Sequence, residues 1–138
     1  MKGPRKTILC VCTGNICRSP MAEVLLRHRL GPGTTWVVKS AGVAAPHGRP
    51  ASEEAVQALA EWKLDLRGHR SKLVSPRLVD EAALIVVMTA SHAHAVVAQY
   101  PEARGKVRLL TSFGSARQPE GIPDPIGLSL DVYRHTRD

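Results

Sequence analysis

Residues 7–20 read TILCVCTGNICRSP, and this stretch decides the architecture of the chain. The apolar run 7–11 is continuous rather than alternating, which is typical of a buried strand in a parallel sheet. A Gly-Asn pair follows, and Pro20 comes next at a position that the first turn of a helix tolerates. The stretch therefore predicts a strand, a tight loop and a helix in direct succession.

The rest of the chain repeats this alternation of strands and helices. We expect further strands at 36–38, 84–88 and 107–110, and helices over about 20–30, from Ser52, from about Ser75, over 91–99 and from Leu128. Continuous apolar strands that alternate with helices predict an α/β fold, in which helices cover both faces of a parallel sheet. Because ligands bind at the carboxyl ends of the strands in such sheets, the loop after the first strand is the first candidate site.

That loop places Arg18 six residues after Cys12, at the start of the first helix. Gly14 and Asn15 accept unusual backbone angles, so successive N–H groups can converge on an anion, aided by the positive end of the helix. The guanidinium of Arg18 can bind two oxygens of a tetrahedral oxyanion. Such surroundings favour a thiolate at Cys12, which would be an activated nucleophile facing a bound phosphate.

Other interpretations of the same residues are weaker. Without the strand–loop–helix setting, a structural Cys beside a solvated Arg would be the usual explanation. A Walker phosphate-binding loop is excluded because the sequence Gly-Lys-Ser/Thr is not present in the loop. Zinc binding by Cys10, Cys12 and Cys17 is disfavoured, because Cys10 lies in the predicted strand and no fourth ligand is near; we therefore expect no metal. Packing is the default role of Cys10. His92 and His94 are interpreted as a polar helix face, and Trp36 and Trp62 as core.

Composition limits the possible partners. The chain has 138 residues, 43% of them hydrophobic and 22% charged, with a net charge of +7, which predicts a single globular domain over 1–138 with anionic partners. The basic residues are dispersed and aromatic residues are few (two Trp, two Tyr and one Phe), so we expect no nucleic-acid partner. The longest apolar run, 82–88, is too short for a bilayer, so we expect no membrane partner.

Three closely spaced cysteines exclude a disulfide scaffold and favour a reducing, cytoplasmic location. Oligomeric state stays unknown at this level.

Residues 11–23, VCTGNICRSPMAE, resemble the phosphate-binding loop of the low-molecular-weight protein tyrosine phosphatase family. The resemblance extends over nearly the whole chain, because Ser40-Ala41-Gly42, Gly68-His69-Arg70 and Asp124-Pro125 occur in the family's order. It implies a three-layer, doubly wound four-stranded parallel sheet with helices on both faces. The resemblance further implies a domain that is short at its C-terminus relative to the family.

The resemblance also implies a role for each site residue and no cofactor. Cys12 would be the nucleophile and form a phosphocysteine, Ser19 would hydrogen-bond its sulfur, and Asp124 would be the general acid. Asn15 would hold the loop in shape through Ser40, His69 and Ser19, and Cys17 would trap oxidised Cys12 as a disulfide. Phosphoryl oxygens would be bound by the Arg18 side chain and by the loop N–H groups of Thr13, Gly14, Asn15, Ile16, Cys17 and Arg18.

The expected substrate is a phosphorylated protein or peptide, and phosphate and other oxyanions should also bind. Ile126 stands where tyrosine-directed relatives usually carry Tyr, and parts of the chain resemble the bacterial branch that includes protein arginine phosphatases. Ile16, in contrast, is typical of tyrosine-directed members, so phosphotyrosine is preferred here and phosphoarginine is the alternative. An arsenate reductase, which would need more cysteines, and a non-catalytic phosphate-binding module are disfavoured.

Overall fold

The computed structural model describes residues 6–16, 18–31, 33 and 35–110. Four strands and four α-helices follow one another in the order β1 (Lys6–Cys12), α1 (Arg18–Leu30), β2 (Trp36–Gly42), α2 (Glu53–Ala60), α3 (Pro76–Glu81), β3 (Ala82–Val87), α4 (Ala90–Gln99) and β4 (Val107–Leu109). A 3₁₀ helix, Pro101–Lys106, precedes β4 and was not predicted. The expected helix from Leu128 lies outside the described residues.

The four strands form one parallel sheet in the order β2-β1-β3-β4. The chain passes from β1 to β2 on one side and then, after α2 and α3, crosses to β3 on the other side of β1, so the switch point of the sheet lies between β1 and β3. The predicted doubly wound α/β fold is confirmed. The carboxyl ends of β1 and β3 are neighbours, which brings the segments that follow them to one edge.

Helices cover both faces, and β1 shows how its sequence achieves this. Ile8, Cys10 and Cys12 point to one face and pack with side chains of α1, whereas Leu9 and Val11 point to the other, in a cluster with residues of α3 and α4. All five are buried, which explains why β1 is continuously apolar rather than alternating. Helix α2 packs on the outer side of α1, through a cluster that includes Met21.

Side-chain caps mark where α2, α3 and α4 begin. Ser52 and Ser75 accept hydrogen bonds from the backbone N–H groups of Ala55 and Leu78, as expected for the caps of α2 and α3. Helix α4 begins one residue earlier than predicted, because Thr89 is its N-cap.

The prediction that Trp62 belongs to the core is wrong. Trp62 is 45% exposed, since it lies in the turn after α2 rather than on the buried face of that helix. Trp36 is half-buried and packs against the core cluster that contains Ile8 and Cys10, with the Lys6 ammonium 5.6 Å from its ring centre. Within the described residues, no helix is long and apolar enough to cross a bilayer.

Candidate active site

The loop between β1 and α1 lies at the switch point of the sheet, and Cys12, the last residue of β1, directly precedes it. Cys12 is only 1% exposed. Its Sγ accepts a hydrogen bond from the backbone N–H of Asn15 at 3.2 Å and lies 2.9 Å from Ser19 Oγ. A backbone N–H donor and a hydroxyl from the first turn of α1 thus contact the sulfur.

The carbonyl groups of the loop are held from outside. The oxygens of Cys12, Thr13 and Ile16 accept from the backbone N–H groups of Val43, Ala44 and Ser52, at 2.8–3.0 Å. The backbone carbonyl oxygen of Asn15 lies 2.6 Å from Nε2 of His69. This nitrogen must be the donor, because a carbonyl can only accept. With these carbonyls turned outward, the loop has the arrangement in which consecutive N–H groups can face an anion.

Asn15 is the centre of this arrangement. Its φ of 56° lies in the left-handed region, which Asn tolerates better than most residues. Its side-chain amide donates to Ser19 Oγ at 2.8 Å and to Ser40 Oγ at 3.0 Å, while its Oδ1 accepts from the backbone N–H of Lys72 at 3.0 Å. The structure therefore brings Asn15, Ser19, Ser40 and His69 together, although they come from four separate segments.

Burial favours the neutral form of His69. Burial lowers the pKa of His69 below its usual value, and the hydrogen bond to the Asn15 carbonyl opposes this effect without cancelling it. A neutral His69 still donates through Nε2, so it can support the loop without carrying a charge.

Arg18 begins α1 and is 4% exposed. Its Nη2 donates to Thr13 Oγ1 at 3.3 Å, so the guanidinium is held beside the loop. Ile16 is half-buried. Cys17 and Asp124 lie outside the described residues.

Three contributors to the site were missed by the sequence analysis. Gly42 is required where β2 passes the loop, because a Cβ there would lie 2.4 Å from the Thr13 carbonyl oxygen. Glu23 accepts from Ser40 Oγ at 2.5 Å and is paired with Arg27, so a carboxylate supports the Asn15 network. Gly42 and Glu23 both lie within stretches quoted for the family resemblance, which was the available signal.

His92 is the third contributor that the sequence analysis missed. The prediction that it belongs to a polar helix face is wrong. His92 is 3% exposed, and its Nε2 lies 2.8 Å from Thr13 Oγ1. Its position follows from the order of the strands, which brings the start of α4 next to the loop after β1. His94, two residues further, is exposed as expected.

Cys10 lies fully buried in the cluster that packs against α1. Burial, with a smaller contribution from the charge of Glu23, raises the pKa of the Cys10 thiol to about 12. In the part of the chain that the structure describes, no three His, Cys, Asp or Glu side chains gather as a metal site would require.

Known proteins are similar to this chain in sequence and in fold. The profile of the family described as low molecular weight phosphotyrosine protein phosphatase matches residues 7–138. A protein-arginine-phosphatase of Geobacillus stearothermophilus is 42% identical over 131 residues, which are 95% of this chain and 86% of the relative. The low molecular weight protein-tyrosine-phosphatase Etp of Escherichia coli K12 is 42% identical over 129 residues, 94% of this chain and 83% of the relative. Among solved structures, a YwlE arginine phosphatase mutant with a phosphorylated active site serine is 36% identical, with a TM-score of 0.88 over 95% of this chain and 86% of that one.

Proposed function

The chain belongs to the low molecular weight phosphotyrosine protein phosphatase family, and on that premise we propose that it hydrolyses phosphorylated proteins or peptides through a phosphocysteine on Cys12. The observation that carries the proposal is the environment of the Cys12 sulfur. A backbone N–H, the Ser19 hydroxyl and the start of α1 converge on it, while the loop carbonyls are bonded elsewhere. This arrangement suits a thiolate that faces a bound phosphoryl group.

The reaction has two steps. In the first, the Cys12 thiolate attacks phosphorus, the bond from phosphorus to the leaving group breaks, and the Asp124 carboxylic acid gives its proton to the leaving atom. In the second, the Asp124 carboxylate takes a proton from water as the water oxygen attacks phosphorus. The P–S bond then breaks, which releases inorganic phosphate and restores the Cys12 thiolate.

The remaining site residues have supporting roles in this proposal. Arg18 and the backbone N–H groups of loop residues 13–18 bind the phosphoryl oxygens, whose charge grows as the reaction proceeds. Ser19 donates to the sulfur when it becomes the leaving group in the second step. Asn15, Ser40 and His69 hold the loop in shape around the left-handed backbone of Asn15. The hydrogen bonds of the Asn15 side chain and backbone carbonyl support this role.

Phosphotyrosine is the substrate class that we favour, and phosphoarginine is the second candidate. Ile16 is half-buried in the loop, where an apolar side chain suits a phenolic ester better than a guanidinium whose N–H groups need acceptors. Phosphoarginine is retained because a 42%-identical relative is named a protein-arginine-phosphatase.

Two further assignments rest on the sequence. We propose that Cys17 captures oxidised Cys12 as a disulfide and so spares it from irreversible oxidation; substitution of Cys17 by serine should then make peroxide inactivation harder to reverse with dithiothreitol. The three closely spaced thiols suit a reducing compartment, and we propose the cytoplasm. No cofactor enters the mechanism.

The test is a panel of phosphotyrosine, phosphoarginine, phosphoserine and phosphothreonine peptides, assayed with the wild type and with Cys12→Ser. We expect Cys12-dependent release of phosphate, fastest from phosphotyrosine. Faster release from phosphoarginine would favour the second candidate. Binding of phosphate without turnover would indicate a non-catalytic module, and arsenate-dependent consumption of thiols would indicate a reductase; either result would overturn the proposal.

A further inference from the structure

His92 is buried at the start of α4, yet its side chain contacts the loop after β1. Its Nδ1 lies 3.1 Å from the backbone nitrogen of Thr89, the N-cap residue of the helix. A backbone N–H can only donate, so Nδ1 must carry a lone pair, and the ring proton of the neutral imidazole is therefore on Nε2.

This tautomer fixes the direction of the next hydrogen bond. Nε2–H of His92 donates to Thr13 Oγ1 at 2.8 Å, and the same oxygen accepts from Nη2 of Arg18 at 3.3 Å. A hydroxyl oxygen has two lone pairs, and here the imidazole and the guanidinium each use one. The Thr13 hydroxyl is thus oriented by the histidine towards the arginine.

From this chain of contacts we propose that His92 is a positioning residue, which acts through the Thr13 hydroxyl to hold the Arg18 guanidinium in place for the phosphoryl group. A guanidinium has five N–H donors, so one can remain on Thr13 while others bind phosphoryl oxygens. An arginine held in advance loses less conformational freedom when the anion arrives. The inference rests on the proposed function for its effect on catalysis.

The position of these residues in the fold supports the inference. Thr13 follows β1 and His92 follows β3, and these two strands are the neighbours on either side of the switch point. The contact therefore joins the two segments that border the site, 79 residues apart in sequence.

A role as helix cap alone would also bury His92, so the test must separate the two. In His92→Gln, the amide oxygen can still accept from Thr89 and the amide nitrogen can still donate to Thr13. Thr13→Val removes the acceptor without touching the cap of α4, and Thr13→Ser restores the hydroxyl. We expect Thr13→Val to lose about tenfold in kcat/KM for p-nitrophenyl phosphate and in affinity for inorganic phosphate, and Thr13→Ser to recover most of that loss. His92→Gln should lose much less than His92→Ala in both measurements.

The double variant Thr13→Val with His92→Ala measures the coupling. If the histidine acts through Thr13, His92→Ala should lower phosphate affinity in the wild type but cause almost no further loss in Thr13→Val. Additive losses would overturn the inference, as would a Thr13→Val protein with unchanged phosphate affinity. Thermal melting of each variant reports the separate loss of the helix cap.

Long-range ¹H–¹⁵N NMR of the imidazole gives a readout that does not need turnover. We expect the Nε2–H tautomer for His92, with a resonance that moves in Thr13→Val; an Nδ1–H tautomer would overturn the inference. Phosphate titration and this spectrum stand even if the wild type hydrolyses nothing, so failure of the proposed function and failure of this inference are distinguishable.

Discussion

The amide nitrogen of Asn15 lies 3.0 Å from the hydroxyl oxygen of Ser40, and this hydrogen bond joins the loop after β1 to the carboxyl-terminal half of the neighbouring strand β2. Both residues are fully buried. The same amide also reaches Ser19, which contacts the Cys12 sulfur. The geometry around the sulfur therefore depends on Ser40, which is 25 positions from Asn15 in the sequence, and Ser40 donates in turn to the Glu23 carboxylate.

Substitution of Cys12 should abolish turnover and leave anion binding intact. We expect Cys12→Ser to lose about 10⁴-fold or more in kcat, because the nucleophile is gone, while phosphate still binds to the loop N–H groups and Arg18. The matched control is Cys10→Ala, since that thiol is buried and its raised pKa, about 12, keeps it protonated. Assays with p-nitrophenyl phosphate and phosphate titrations measure both effects. Normal turnover in Cys12→Ser would exclude the covalent mechanism.

Two substitutions of Asn15 should separate the effect of backbone strain from the effect of the side-chain hydrogen bonds. In Asn15→Ala, we expect the free energy of unfolding to fall by about 2–4 kcal/mol, because Ala resists the left-handed region and the buried amide bonds are lost. Asn15→Gly accepts the φ of 56° but cannot contact Ser19 or Ser40. Urea unfolding should therefore show a smaller loss for Gly than for Ala, with turnover reduced in both. Full turnover in Asn15→Gly would mean that the side-chain bonds are dispensable.

The lowered pKa of His69 predicts how stability depends on pH. Its pKa in the folded state lies below the value of about 6.5 expected in the unfolded chain. Between those two values the unfolded state binds the proton more readily, so the free energy of unfolding falls as the pH drops below about 6.5 and levels off below the folded pKa. His69→Gln should flatten this dependence, measured by urea unfolding at several pH values. The exposed His94→Gln variant is the control, and an equal effect in both variants would count against the assignment.

Asp124 should matter most for poor leaving groups. General acid catalysis is worth roughly 10²–10⁴-fold, and an activated aryl ester needs less of it than an alkyl ester. Asp124→Asn should therefore slow alkyl phosphates far more than p-nitrophenyl phosphate. A series of phosphoesters with graded leaving-group pKa values gives the measurement. A uniform loss over the series would assign Asp124 a positioning role instead.

Ile16 should influence the choice between phosphotyrosine and phosphoarginine. A guanidinium left without acceptors beside an isoleucine costs on the order of 1–3 kcal/mol, so Ile16→Thr should raise phosphoarginine turnover relative to phosphotyrosine by about tenfold. The backbone should tolerate the change, since the Ile16 carbonyl is held by Ser52 N–H at 2.8 Å. Ile16→Val, which stays apolar, is the control. If the wild type already prefers phosphoarginine peptides, the weight placed on Ile16 is wrong.

Local features of the chain were predictable because they depend on residues close in sequence. The continuous apolar run of β1 predicted burial on both faces, and Ser52 and Ser75 predicted the starts of α2 and α3. The spacing of Cys12 and Arg18 around a Gly-Asn pair predicted an anion-binding loop at the end of a strand. Each of these patterns acts within a few residues, where the period of a helix or strand determines which side chains share a face.

By itself, then, the sequence determined the strands, the helices and the loop that carries Cys12, and the family resemblance implied Ser40 and His69 as partners of Asn15. Only the tertiary structure decided that Glu23 and His92 also support that loop. Hydrophobic periodicity contains no information on strand order, and only the order β2-β1-β3-β4 brings His92 beside Thr13 and Ser40 beside Asn15. His92 was misread for this reason: a histidine on a helix is polar by composition, but at the switch point of the sheet it is buried, and a buried polar group must find a hydrogen-bond partner in whichever segment the fold places next to it.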